Sequence, residues 1–111
     1  MRIGRRMAGR LLGWGAAALV AAPARAAPAF EVMIDNFTFA PIEIVVPVGA
    51  TVTWTNRDDI PHTVTDAARP KEVRSKVLDT DDQYSRQFDT AGQYKYFCSL
   101  HAHMQGTVVV R

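Results

Sequence analysis

Gln93-Tyr94-Lys95-Tyr96-Phe97-Cys98 alternates cleanly, with Tyr94, Tyr96 and Cys98 on one face and Gln93, Lys95 and Phe97 on the other. A period of two over six residues rich in aromatics is the signature of a β-strand with one buried face. The chain then turns through Ser99-Leu100-His101-Ala102-His103-Met104 and passes Gly106. It ends in Thr107-Val108-Val109-Val110, a β-branched run that reads as a second strand. The segment from Cys98 to Met104 is therefore expected to be a loop between two neighbouring strands.

Working outward, the same period recurs. Phe30, Val32 and Ile34 alternate with Glu31, Met33 and Asp35, which leaves Met33 at the surface or in secondary packing. Thr51-Val52-Thr53-Trp54-Thr55 sets Val52 and Trp54 against three threonines, and Ile42–Val46 and Tyr84–Phe88 are further strands. Turn chemistry separates them at Ala40-Pro41, Pro47-Val48-Gly49, Asn56-Arg57-Asp58-Asp59 and Thr90-Ala91-Gly92. Residues 67–83 are ambiguous: Lys71 to Leu78 fits either a short charged helix or an edge strand. Six to eight short strands with regular turns predict an all-β, antiparallel sandwich or barrel.

The 111 residues allow one domain. Its first 26 residues read as a secretory signal peptide: a charged opening to Arg10, a 12-residue apolar run from Leu11 to Ala22, and small residues ahead of a cut after Ala26. Twelve apolar residues are too few for a bilayer span, which needs about 20. A second cut after Ala29 is open. Arg5-Arg6 raises twin-arginine export, but its flanks favour the general secretory route. The expected product is a periplasmic domain of residues 27–111, monomeric and with no lasting membrane span. Five of the 13 Lys and Arg fall in the leader, which turns a net charge of +2 into −3 for the rest. A mildly acidic domain gives no basic surface for nucleic acid.

Export places Cys98, the one cysteine, where disulfides form, yet it has no partner in the chain. It is left as an intermolecular bridge, a reactive thiol, a buried hydrophobe or a metal ligand. Its neighbours argue for the last. Thiolate, imidazole and thioether within seven residues suit copper, and Cu(I) above all; oxygen-seeking cations would want other donors. The remaining histidine is His62, in Asp59-Ile60-Pro61-His62-Thr63-Val64. Two imidazoles, one thiolate and a weak axial thioether make a type 1 (blue) copper electron-transfer site. His103 competes with His101 for the ion. Zinc would lack a fourth strong ligand. A thiol enzyme would need an acid orienting a histidine, and none is evident beside one. A copper delivery or storage module remains the alternative to an electron carrier.

At Cys-x-x-His-x-x-Met, with Pro61-His62 upstream, the chain resembles the cupredoxins, and among them the amicyanins. The stretches Thr51–Arg57 and Asn36–Pro41 resemble the same family. The resemblance implies a Greek-key sandwich of about seven or eight strands. It implies copper held by His62, Cys98 and His101 with Met104 axial, and no enzymatic activity. It further implies an electron exit through an apolar patch of Pro61, Leu100, His101 and Ala102. The implied partners are a dehydrogenase donor and a c-type cytochrome or oxidase acceptor; for amicyanins the donor is methylamine dehydrogenase. Asp58, Asp59, Asp79, Asp81 and Asp82 are candidates for steering a basic partner. The chain departs from the family in a short N-terminal part, where a strand is expected to be missing, in Thr63 where many members carry asparagine, and in Ser99-Leu100 where amicyanins commonly have Thr-Pro. Backbone N–H groups of the Cys98–Met104 loop are the expected donors to the thiolate.

Overall fold

Alternating side chains become alternating burial. In a computed structural model, which describes residues 29–68 and 73–111, Val32, Ile34, Val52, Trp54, Tyr94, Tyr96 and Cys98 all face inward. Eight strands are formed among the described residues: β1 (Ala29–Asp35), β2 (Thr38–Ala40), β3 (Glu43–Val46), β4 (Ala50–Asn56), β5 (Thr65–Asp66), β6 (Gln83–Phe88), β7 (Gly92–Cys98) and β8 (His101–Val110). They make two four-stranded sheets, ordered β2-β1-β4-β6 and β3-β8-β7-β5. The leader read in residues 1–26 lies outside the described residues. No helix of the described residues is long and apolar enough to cross a membrane.

The pairing corrects one expectation. The sandwich is not purely antiparallel: β1 runs parallel to β4, and β3 parallel to β8. Each parallel partner arrives from the other sheet, because β2 returns beside β1 while β3 crosses to β8. These are the crossovers of a Greek key.

Between the sheets lies an aromatic lattice. Trp54 of β4 meets Tyr96 of β7 edge-on at 5.3 Å between centroids, and Phe39 of β2 meets Tyr96 at 4.7 Å. Phe88 packs on Tyr94 at 5.0 Å. Each fully buried large apolar side chain contributes about 1.5–3 kcal/mol of transfer free energy. The lattice therefore stiffens the sheets whose ends carry the candidate site. Gly106 belongs to it by having no side chain, since a Cβ there would run into Tyr96 Cζ and Oη.

Residues 73–78 are extended. His62 and Leu78 exchange both backbone hydrogen bonds (3.1 and 2.8 Å), Ser75 N–H donates to Val64 O and Asp66 N–H to Val73 O. The described part is therefore neither the short helix nor a regular edge strand: it is extended chain joined to the sandwich by isolated bridges at Arg74 and Leu78; residues 69–72 lie outside the described residues.

Candidate metal centre

The site is assembled at one end of the sandwich from three pieces of chain. The first is the turn after β4. Asn56, fully buried, organises it: its Nδ2 donates to Ile60 O at 3.0 Å and Leu78 O at 2.8 Å, and its Oδ1 accepts from Asp58 N–H at 2.9 Å. This folds Arg57–Pro61 back on itself and delivers His62 to the interior, where the Leu78 backbone pins it. The second is the β7–β8 hairpin. The expected loop is tighter than expected: Cys98 pairs directly with His101, so only Ser99 and Leu100 form the turn, and His101–Met104 already belong to β8. The third is the β1–β2 turn. Asn36 and Phe37 have φ of 51° and 56°, as a two-residue type I′ hairpin turn requires. Such a φ is rare for phenylalanine.

The three donors that the sequence picked out converge. Cys98 Sγ lies 3.7 Å from His62 Nδ1 and 3.7 Å from His101 Nδ1. All three ligand atoms lie within 4.8 Å of one another. Zinc-type bonds of about 2.1 Å to nitrogen and 2.3 Å to sulfur serve as a yardstick; in a trigonal plane they put sulfur and nitrogen about 3.8 Å apart. The observed separations fit one ion between them. Cys98 and His62 are 0% exposed, His101 is half-buried, and Met104, three residues on in β8, is buried. His103 is exposed and lies outside the cluster that His101 joins.

The sulfur receives a hydrogen bond, though not from its own loop. The donors are both on Thr63: its backbone N–H, 3.4 Å away, and more distantly its hydroxyl Oγ1 at 4.0 Å. Thr63 Oγ1 accepts the Ser99 N–H at 2.8 Å and lies 2.8 Å from Ser99 Oγ, which ties the first histidine's strand to the hairpin turn. Thr63 thus supplies the lock expected of asparagine at this position.

Three residues near the donors went unassigned to the site at the level of sequence. Asp58 is not a surface acid. It is buried, and its Oδ2 sits 2.9 Å from His62 Nε2 while accepting the Phe37 N–H at 3.0 Å. The His62 hydrogen bond, helped by the Phe37 and Asp59 N–H groups, holds its carboxyl below the ordinary value; burial acts the other way. Phe37, partly exposed, packs edge-on against both imidazoles, with centroids 5.5 Å from His62 and 5.1 Å from His101. Thr63 is the third. The one trace of Asp58 in the sequence is its place four residues before His62, in Asp58-Asp59-Ile60-Pro61-His62.

Of the patch residues, Pro61, Leu100 and Ala102 are exposed and His101 half-buried. Asp59, Asp79 and Asp81 are exposed, with Asp81 paired to Arg57 at 2.6 Å.

With the donor set and its geometry in hand, the likeness to known proteins is informative. The family model for copper binding proteins of the plastocyanin/azurin family matches residues 26–111. Amicyanin-alpha of Methylorubrum extorquens is 37% identical over 98 residues, spanning 86% of this chain and 82% of that protein. Amicyanin of Paracoccus versutus is 33% identical over 94 residues, spanning 82% of this chain and 71% of its own length. Among solved structures, a purple cupredoxin from Nitrosopumilus maritimus superposes with a TM-score of 0.69 at 33% identity, covering 74% of this chain and 99% of that one. His62, Cys98, His101 and Met104 form a candidate type 1 copper site on this fold. The chain belongs to the copper-binding plastocyanin/azurin family, the cupredoxins, and is amicyanin-like.

Proposed function

We propose that this chain is an electron carrier of the periplasm, passing single electrons between larger redox proteins. His62, Cys98 and His101 would hold one copper ion, with the Met104 thioether as a weak fourth donor. The observation that carries this reading is the approach of two imidazole Nδ1 atoms to one buried thiol, each at 3.7 Å. Bound there, copper supplies a Cu(II)/Cu(I) couple in a trigonal His₂Cys setting acceptable to both states.

The protein's own residues do the rest. Backbone pairing with Leu78 and the Asp58 carboxylate fix His62. The Cys98–His101 strand pair fixes the other two donors. Neither Cys98 nor His62 is exposed, so water is kept off the thiol and the imidazole. Donors that stay put in both oxidation states keep reorganisation small. The half-buried His101 edge, with its exposed sequence neighbours Leu100 and Ala102 and with the exposed Pro61 that precedes His62, is the exit for the electron, and Phe37 joins that patch. An apolar patch suits a short-lived encounter, in which weak redox complexes bury less than about 1,200 Å². A dehydrogenase as donor and a c-type cytochrome or oxidase as acceptor fit such use.

Two other readings meet the same geometry less well. A delivery module needs ligands that a chelator or partner can reach, and here the thiol is 0% exposed. A thiol enzyme gains the acid it lacked on paper, since Asp58, His62 and Cys98 form a line. No substrate reaches a thiol so buried, however, and a second imidazole occupies its flank. Absorption, EPR and voltammetry of the Cu(II)-loaded mature protein test the assignment. An intense blue or green thiolate band with a reversible one-electron wave is expected, and Cys98→Ala should abolish both. A colourless complex that yields its metal to chelators would favour delivery instead.

A further inference from the structure

Resting on the copper reading above, we propose that Asp58 is a positioning residue that orients His62 and biases the centre toward its oxidised state. A carboxylate is an expensive group to place against an apolar interior unless its oxygens are met by donors. Here three donors meet it. Oδ2 accepts from Phe37 N–H and faces His62 Nε2, and Oδ1 accepts from Asp59 N–H at 3.1 Å. Among the described residues the basic side chain within 4 Å of it is His62 itself; Arg57, next in sequence, pairs with Asp81 instead. The negative charge is thus directed at one imidazole.

Two consequences follow for His62. An Nε2–H donated to the carboxylate leaves Nδ1 with its lone pair, and Nδ1 is the atom that faces the thiol. The ring cannot turn over without breaking that bond. A carboxylate behind an imidazole also strengthens it as a donor, as in other metal sites where the outer partner is an acid. A stronger donor and a nearby negative charge favour the more highly charged metal ion, so the reduction potential is lower than a neutral partner would give. The same Oδ2 holds the Phe37 N–H at positive φ, keeping the ring edge-on to both imidazoles.

Asp58→Asn tests the charge with the shape kept, since an amide oxygen can still accept from Nε2–H. The variant is expected to remain coloured, to lose Cu(II) affinity by about 10- to 100-fold, and to show a higher reduction potential. A ten-fold loss confined to Cu(II) reads as about 59 mV upward. A coloured variant with unchanged potential and unchanged Cu(II) affinity overturns the proposal while leaving the copper assignment standing. A wild-type protein without a thiolate band overturns both. Should the variant fail to fold, the ¹⁵N tautomer pattern of His62 in metal-free wild-type protein decides: Nε2 protonated supports the role, and Nδ1 protonated refutes it.

Discussion

Thr63 aims its backbone N–H at Cys98 Sγ from 3.4 Å across a sequence gap of 35 residues, and its hydroxyl holds Ser99 on the far side of the same sulfur. One residue thereby joins the two halves of the metal centre. The N–H withdraws charge from the thiolate, and the hydroxyl bonds decide how closely it can do so.

Thr63→Val keeps the volume and the β-branch but deletes the acceptor for Ser99 N–H. Ser99 is exposed, so water can meet its freed N–H and the cost stays near the lower end, about 1 kcal/mol. With the tether gone the N–H drifts from the sulfur, the thiolate donates more strongly, and the reduction potential falls. Thermal melts and voltammetry measure the two effects. A potential equal to that of the wild type would show that the hydroxyl does not hold the N–H in place.

Gly106→Ala places a methyl against the ring of Tyr96, which is wedged between Phe39 and Trp54 and cannot retreat. Overpacking of this kind costs about 1–3 kcal/mol. Urea titration should show a lower midpoint with the slope unchanged, since the unfolded surface is the same. A midpoint equal to that of the wild type would mean that the two sheets part more easily than their aromatic packing implies.

Much of this fold is legible in the chain because period-two alternation is a local property. Val52/Trp54 and Tyr94/Tyr96/Cys98 reveal their faces without reference to anything distant. What alternation cannot give is the partner: the parallel pairings of β1 with β4 and β3 with β8 depend on crossovers between sheets. Residues 73–78 defied the reading because Ser75, a polar residue, is buried while Val77 is exposed, which erases the pattern. The donor set was readable from its chemistry, three soft or nitrogenous side chains in seven residues plus a lone upstream histidine. Asp58 was not. In an acidic turn it looks like a solvated charge, and only the return of Phe37, 21 residues earlier, and of His62 to its carboxylate shows otherwise.

Burial raises the Tyr96 phenol from 10.0 to about 12, with the neighbouring Trp54 indole N–H acting weakly the other way. A folded-state value above the unfolded one contributes stability that is complete below pH 10 and lost as pH climbs toward 12. Within that window the unfolded chain gives up a proton that the folded one keeps, so stability falls by about 1.4 kcal/mol per pH unit from this group. The difference in unfolding free energy between metal-free wild type and Tyr96→Phe, followed from pH 9 to pH 12, isolates it. The difference should be flat at first and then swing in favour of the phenylalanine variant. Parallel curves up to pH 12 would mean that the phenol is less sequestered than its packing suggests. At neutral pH the substitution should be neutral or slightly stabilising, because the Tyr96 hydroxyl is buried and, among the described residues, meets no hydrogen-bond partner of good geometry, the Trp54 indole being near it but poorly aligned.

Met104 is buried in β8, three residues beyond His101, and leucine nearly matches its volume. Met104→Leu should therefore cost less than about 1.5 kcal/mol of stability. The two imidazoles and the thiolate are untouched, so copper should still bind and the protein should stay coloured. What is lost is a weak electron donor, and donated charge stabilises the more highly charged Cu(II) more than Cu(I); the axial ligand is one of the groups that set the potential of such sites. The reduction potential should rise. A voltammogram of Met104→Leu that matches the wild type would place the thioether among the packing residues and leave the centre with three ligands.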